Sequence, residues 1–428
     1  MEGINGSFKL VKTFLLAVEA GLSNHDAFEI VQKLGYKPGT KCKLSAEQLD
    51  DLDDLYDWAN TLFPRNRMLL LLWVLAGLSA TASSKTFNFL SVGDWGDKEF
   101  LQLVAENFDK QGKDAAVALL LGDNFYEAGV KSTTDQQWET KYQQFFTGPN
   151  MRKAKFMVAS GNHDYYGNVS AQVAYKDPTN RWLFPALYHA RRFTQHGIKV
   201  MFVMVDTWRL NGGDTVWGHN PATGRTWLRS EAALWKQVAE GDISPQLALE
   251  LLAKHPKRLS EQEEEEEAGK GDPQQLEWIR QVLTSPAGKE ADWRFVCGHF
   301  PIRSATLQEH GDTKNLVRVL EPLLEELEVD AYFSGHDHVL QVIKRKGEHT
   351  LHYYGPGAGA RKHPIVNAQY EGLQGHSEGK LGFMRHRLTK TEMTTALIDE
   401  FEHEVFSLTQ EKNPSTAEGN PGQILEEF

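Results

Sequence analysis

Five short apolar runs in this sequence end in glycine, and each glycine is followed by Asp, Asn or His: "VGDWGD", "LGDNFY", "SGNHDYYGN", "CGHFP" and "SGHDH". The side chains placed in this way are Asp94, Asp123, Asn162, His163, His299, His336 and His338. A single "GD" or "GH" usually marks no more than a turn; five in one chain, each after a strand-like run, point to a shared site. All are oxygen or imidazole donors with no thiolate, a set that suits first-row divalent or trivalent metals. It also exceeds what one ion needs. Two ions about 3.5–4 Å apart would use it economically, with Asp123, by order and spacing, bridging both. Tyr126 follows Asp123 by three residues, and packing, hydrogen bonding and metal ligation are all open to it.

Such donors need a frame. Residues 87–92, 115–121, 155–160, 199–206, 293–298 and 330–335 are β-rich apolar runs bounded by turn residues. Helical patterns lie between several of them, at 98–111 and 313–328. The alternation predicts an α/β domain whose strands are buried on both faces. A glycine at each strand end lets the chain turn sharply. The next side chain then projects from the carboxyl edge of the sheet, where ligands bind in open α/β folds. Residues 380–400 alternate with period two and read as an antiparallel hairpin, with a last strand within 401–410. Residues 211–275 interrupt two core strands and contain "RLSEQEEEEEAGKGDP", a self-repelling run expected to be a solvated loop, with helices possible at 226–254. The whole reads as an acidic insertion, not a domain.

The formal charge of -12 over 428 residues argues against nucleic acid or an anionic membrane surface as the main partner. Any phosphate chemistry therefore needs strong local positive charge, which metal ions can supply. Two cysteines, Cys42 and Cys297, exclude a disulfide-rich scaffold and a Cys-based zinc site. Residues 65–84, "RNRMLLLLWVLAGLSATASS", carry a basic flank, an apolar core and an Ala80-Thr81-Ala82 cleavage pattern, the order of a secretory signal. The expected organisation is an N-terminal helical extension at 1–67, which the mature protein can lack, and a signal peptide or signal-anchor at 68–82. A catalytic domain at 83–410 and a disordered tail at 411–428 follow. Membrane attachment enters only if 68–82 is an uncleaved anchor. The sequon at Asn168, "NVS", fits passage through the secretory pathway and an N-glycan.

The order D, GD, GNH, GH, GHxH resembles the calcineurin-like metallophosphoesterases. The "GDxxY" block with "GHDH" is similar to the purple acid phosphatases, and "SGNHDYYGNVSAQVAY", "VCGHFPIRSATLQEHGDT" and "AYFSGHDHVLQ" resemble their small tartrate-resistant (type 5) members. The resemblance spans roughly 87–388 without 211–275. It implies a mixed β-sandwich flanked by helices, α/β/β/α in four layers, with the metal site at the carboxyl ends of the strands. It implies Fe(III) held by Asp94, Asp123, Tyr126 and His338, and a divalent Fe, Zn or Mn held by Asp123, Asn162, His299 and His336. The reaction implied is phosphate-monoester hydrolysis at acid pH, with a metal-bound hydroxide as nucleophile. A divalent ion lowers the pKa of bound water to about 7, and a trivalent ion further. His163, beside Asn162, and His310, in "QEHGDT", are the candidate proton donors or phosphate partners, and Asp164 a candidate to orient His163. The remaining histidines are read as structural or surface. A monomer in a secreted, lysosomal or vacuolar compartment is expected. Two rivals remain: a divalent-metal phosphodiesterase of the same superfamily, and a secreted iron-binding glycoprotein with incidental hydrolysis. An acidic loop within 211–275 could repel anionic substrates or hold the enzyme quiet until proteolysis.

Overall fold

The computed structural model describes residues 86–412, apart from 215, 221–225, 256–258, 261–270, 308–310, 348 and 363–365. The extension 1–67, the leader 68–82, the glutamate run and His310 lie outside the described residues. Among the described residues, no helix is long and apolar enough to cross a membrane.

Strands β1 (Phe87–Val92), β2 (Val117–Leu121), β3 (Lys155–Ala159) and β4 (Trp182–Leu183) come first, then β5 (His189–Gln195) and β6 (Ile198–Met204). A small hairpin, β7 (Trp217–His219) with β8 (Thr226–Leu228), precedes β9 (Trp293–Cys297), β10 (Ala331–Phe333), β11 (Leu340–Lys346) and β12 (Thr350–Pro356). The chain closes with β13 (Leu373–Ser377), β14 (Gly382–Leu388), β15 (Glu392–Asp399) and β16 (Glu404–Glu411). Two seven-stranded mixed sheets result. Sheet A has the order β16-β15-β14-β1-β2-β3-β4 and sheet B the order β13-β11-β12-β10-β9-β6-β5. Strands β1, β2 and β3 run parallel, as do β6, β9, β10 and β12.

Period-two patterning explains why the sheets face each other. Phe87 and Phe89, Val117, Leu119 and Leu121, and Met157 and Ala159 point inward from sheet A, against Phe202, Met204, Phe295, Cys297, Ala331 and Phe333 of sheet B. The Phe89 ring lies 5.3, 5.8 and 5.7 Å from those of Phe202, Phe295 and Phe333. The alternate residues, Leu90, Ala118, Leu120, Phe156 and Val158, face outward. There they meet Phe108 of helix α1 (Ala105–Gln111) and Phe100 and Val104 of the π-turn before it. Met201, Val203, Val296 and Tyr332 do the same on the outer face of sheet B. The fold is therefore the four-layer α/β/β/α sandwich that the family resemblance implies. Cys297 is a free, buried thiol in the seam between the sheets.

Short helices follow the strand ends: α2 (Asn162–Tyr166) and α3 (Val169–Ala174) after β3, and α4 (Thr207–Asn211) after β6. Residues 211–275 hold the β7–β8 hairpin, α5 (Glu231–Glu240), α6 (Pro245–Lys254) and the first turn of α7 (Pro273–Thr284). Ser244 and Asp272 cap α6 and α7 by accepting from Leu247 and Gln275, each with proline at the first helical position. Trp217, Leu228, Leu234, Ala248 and Leu251 of this segment join the core outside sheet B, together with Ile279 of α7 and Leu316 of α8 (Lys314–Val319). Helices α5 and α6 lie where helices were expected at 226–254, and a few side chains of the segment reach the core, while the glutamate run expected to be solvated lies outside the described residues. The C-terminal strand runs to Glu411, and Lys412 beyond it pairs with Asp330 at 3.3 Å. Strand pairing thus continues to the first residue of the stretch expected as a tail.

Candidate metal centre

Five parallel strands, three from sheet A and two from sheet B, end at one rim, and the sequence-predicted donors gather there. Asp94 follows β1, Asp123 follows β2, Asn162 and His163 open α2 after β3, His299 follows β9, and His336 and His338 follow β10. Donor atoms of Asp94, Asp123 and His299 lie within 4.8 Å of one another, and all three side chains are buried. The Tyr126 hydroxyl sits 3.0 Å from Asp123 Oδ2, 3.1 Å from Asp94 Oδ1 and 3.3 Å from His338 Nε2. On the other side, Asp123 Oδ1 is 3.4 Å from His299 Nε2, which is itself 3.1 Å from Asn162 Oδ1. The His336 ring packs edge-on against His299, centroids 5.1 Å apart. The two oxygens of Asp123 therefore face two different groups of donors.

Backbone contacts fix the tautomers. His299 Nδ1 donates to the Leu121 carbonyl at 2.8 Å, leaving Nε2 to the site. His163 Nδ1 donates to the Glu127 carbonyl at 2.6 Å, and its backbone N–H donates to Asp123 Oδ1 at 3.0 Å. Asp164, expected to orient His163, does not touch that ring. Its carboxylate accepts instead from Gly161 N (2.8 Å), Asn124 N (3.2 Å) and Gln172 Nε2 (2.7 Å). The reason is helical geometry: adjacent side chains on α2 do not face each other.

The glycines before the donors also act differently from expectation. Only Gly122 of the five has a left-handed φ, at +86°. The sharp turn is carried largely by the donors, with Asp94 at φ 56°, Asp123 at 50° and His336 at 67°. Asp tolerates this region better than most residues. Gly161 is needed for space: a Cβ there would meet Asp123 Oδ1 at 2.1 Å.

Electrostatics describe a site short of positive charge. Burial, reinforced by Asp123, pushes Asp94 up to about 8 despite the opposing pull of His299. Asp123 is held below its ordinary value, because His299, His163, His338 and the His163 N–H together outweigh its own burial. Two carboxylates so close and so desolvated share one readily ionised state. Tyr126 is raised well above its ordinary value by burial, Asp123 and Asp94, with Arg361 working in the opposite sense. The Arg361 guanidinium lies 4.5 Å from the Tyr126 ring centroid and also bonds Asp97 (2.9 Å) and the Gly241 carbonyl (2.9 Å). A buried set of two carboxylates, a phenol, an amide and imidazoles fits metal cations, whose charge inverts these shifts.

Sequence reasoning missed Arg361, Tyr166 and Asp214. Tyr166 accepts from Asn162 Nδ2 at 3.3 Å and donates to Asp214 Oδ2 at 2.7 Å. Arg361 had a usable signal, since "GPGAGAR" at the end of β12 is a further glycine-punctuated strand end. Asn168 is exposed and caps α3, accepting from Ala171 N at 3.1 Å.

The sequence pattern of the calcineurin-like phosphoesterases matches residues 87–340. Tartrate-resistant acid phosphatase type 5 of Mus musculus is 30% identical over 366 residues, which cover 81% of this chain and 97% of that protein. Purple acid phosphatase 7 of Arabidopsis thaliana is 29% identical over 313 residues, 72% of this chain and 80% of that protein. Among solved structures, GAP50, the anchor in the inner membrane complex of Plasmodium, superposes with a TM-score of 0.56 at 21% identity. That match covers 77% of this chain and 90% of GAP50, and it bears on the fold alone.

Proposed function

The chain belongs to the calcineurin-like phosphoesterase family, and from that premise we propose that it is an acid phosphatase of the purple type, hydrolysing phosphate monoesters with two metal ions. The observation that carries this reading is the Tyr126 hydroxyl, held between Asp94, Asp123 and His338. A phenolate beside two carboxylates is a hard anionic set that suits Fe(III), while the imidazoles of His299 and His336 with the Asn162 carbonyl oxygen suit a divalent Fe, Zn or Mn. Asp123, with one oxygen toward each group, is the bridging carboxylate of this proposal. When bound, such a pair of ions would neutralise phosphoryl charge and acidify water at low pH.

The chain's own groups do the rest. Because His163 Nδ1 is committed to the Glu127 carbonyl, Nε2 is the atom that gains and gives up a proton. That nitrogen stands 3.9 Å from Asp123 Oδ2, close enough to serve a leaving-group oxygen at the same site. His310 is retained as a second proton donor on sequence grounds alone. Secretion through the 68–82 leader, action as a monomer and an N-glycan at exposed Asn168 belong to the same reading.

The test is a visible absorption spectrum with metal analysis on the same purified sample. A violet charge-transfer band, two metals per chain, and loss of the band in Tyr126→Phe are the expected results. A fully metallated, active but colourless protein overturns Fe(III)–tyrosinate ligation. Preference for diester over monoester substrates in that protein makes the phosphodiesterase the correct assignment.

A further inference from the structure

We propose that Asp214, contributed by the inserted segment, is a positioning residue that fixes which end of the Asn162 amide faces the metal centre, acting through Tyr166. The proposal rests on Asn162 being a metal ligand. An asparagine amide has two ends of nearly equal shape but opposite hydrogen-bonding sense, and the carbonyl oxygen is the end a cation can use. Packing alone discriminates poorly between them. A directional partner must do it.

The Tyr166 hydroxyl is that partner. It carries one proton and two lone pairs. It is buried and lies 2.7 Å from Asp214 Oδ2, and an ionised carboxylate can only accept, so the proton goes there. The lone pairs are left for donors, and Asn162 Nδ2 lies 3.3 Å away. With the hydroxyl thus committed, a reversed Asn162 would set its carbonyl oxygen against lone pairs. The orientation observed sends Oδ1 the other way, 3.1 Å from His299 Nε2.

Asp214 is itself locked. Its Oδ1 accepts from Val216 N at 2.8 Å and Trp217 N at 2.7 Å, its backbone N–H donates to the Trp217 carbonyl, and Arg229 Nη1 donates to the Asp214 carbonyl at 2.9 Å. These contacts tie the carboxylate to the β7–β8 hairpin and leave Oδ2 for Tyr166. Asp214, which sets the polarity of the relay, lies in the segment 211–275. The insertion is thereby part of the metal centre.

Two conservative variants test this in the full chain. Asp214→Asn can donate to the Tyr166 hydroxyl and so frees its proton, and Tyr166→Phe removes the relay. Metals per chain are measured across a chelator titration, with the thermal midpoint as a control for folding. We expect both variants to fold, to keep one metal as the wild type does, and to hold the other about 10–100-fold more weakly. A metal-free readout runs beside it: in protein labelled with 15N at asparagine, the Asn162 side-chain amide pair, assigned by its loss in Asn162→Ala, should be protected from exchange in the wild type and unprotected in both variants. Wild-type retention of both metals and unchanged amide protection in the variants overturn the proposal. A wild-type protein that never holds a second metal overturns the two-metal reading alone, and the amide signal then upholds or overturns the relay by itself.

Discussion

The two sheets bring unlike chemistry to the rim they share. Sheet A supplies Asp94, Asp123, Tyr126, Asn162 and His163 from the ends of β1, β2 and β3, a mostly oxygen set; sheet B supplies His299, His336 and His338 from β9 and β10, all imidazoles. Neither sheet holds a complete site. The groups that align them cross the seam: His336 N–H donates to Asp94 Oδ2 at 2.7 Å, and His299 Nδ1 to the Leu121 carbonyl at 2.8 Å. Accurate packing of one sheet on the other is thus as much a part of the site as the donors themselves.

The strongest way to break the pairing is at the shared carboxylate. Asp123→Asn removes one charge from both donor groups, and we expect activity to fall by roughly 10³-fold or more with loss of metal, read by phosphatase assay and metal analysis. Gly161→Ala leaves every donor in place but drives a methyl into Asp123 Oδ1. A loss of about 10²-fold in activity is expected, with a near-native circular dichroism spectrum. Phe89→Ala works from below, opening a cavity among Phe202, Phe295 and Phe333 in the seam. It should cost about 3–5 kcal/mol in denaturant unfolding and weaken metal retention without touching a donor. Unchanged metal retention in that variant would show that the rim holds itself together independently of the seam.

The smallest effect sharpens the comparison at the sheet edges. His189 of β5 in sheet B hydrogen-bonds the Val158 carbonyl of β3 in sheet A at 3.0 Å, and burial depresses it from 6.5 to about 4. A depressed histidine favours the neutral form in the fold. Its contribution is complete above pH 6.5 and is lost as the pH falls toward 4. His189→Gln, which does not titrate, should therefore lose up to about 3 kcal/mol less stability than the wild type between pH 7 and pH 4. Unfolding curves at the two pH values measure it.

What could be read from residues was whatever repeats with a short period or is punctuated by glycine. The six expected core strands all exist, with ends shifted by two residues at most, because each is a largely buried apolar run with a turn signal after it. Strand β5, "HARRFTQ", escaped because an edge strand with polar residues on its open side lacks that signal, and the three-residue β7 and β8 are too short to show one. The seven donors named from glycine-punctuated strand ends do meet at one rim. The conformations that aim them could not be read: that Asp94, Asp123 and His336 themselves take the left-handed turn depends on how close the strands come. Pairs such as Tyr166 and Asp214, 48 residues apart, leave no local trace.

One consequence of the strand order concerns how the protein is made. Strand β1, which leads to Asp94, lies between β2 and β14, pairing Phe87 with Leu388, and β10 needs β12 on its far side. The stretch 87–340 that identifies the family contains every proposed ligand yet stops at the first residue of β11 and omits β12 to β16. A ribosome that has just completed His338 has therefore written every proposed ligand, but not Arg361, in a chain whose first strand still has a bare edge. Assembly of the proposed metal rim is expected to follow the hairpin at 382–399, and a fragment cut at the motif boundary would carry the donors without the strands that pair with β1.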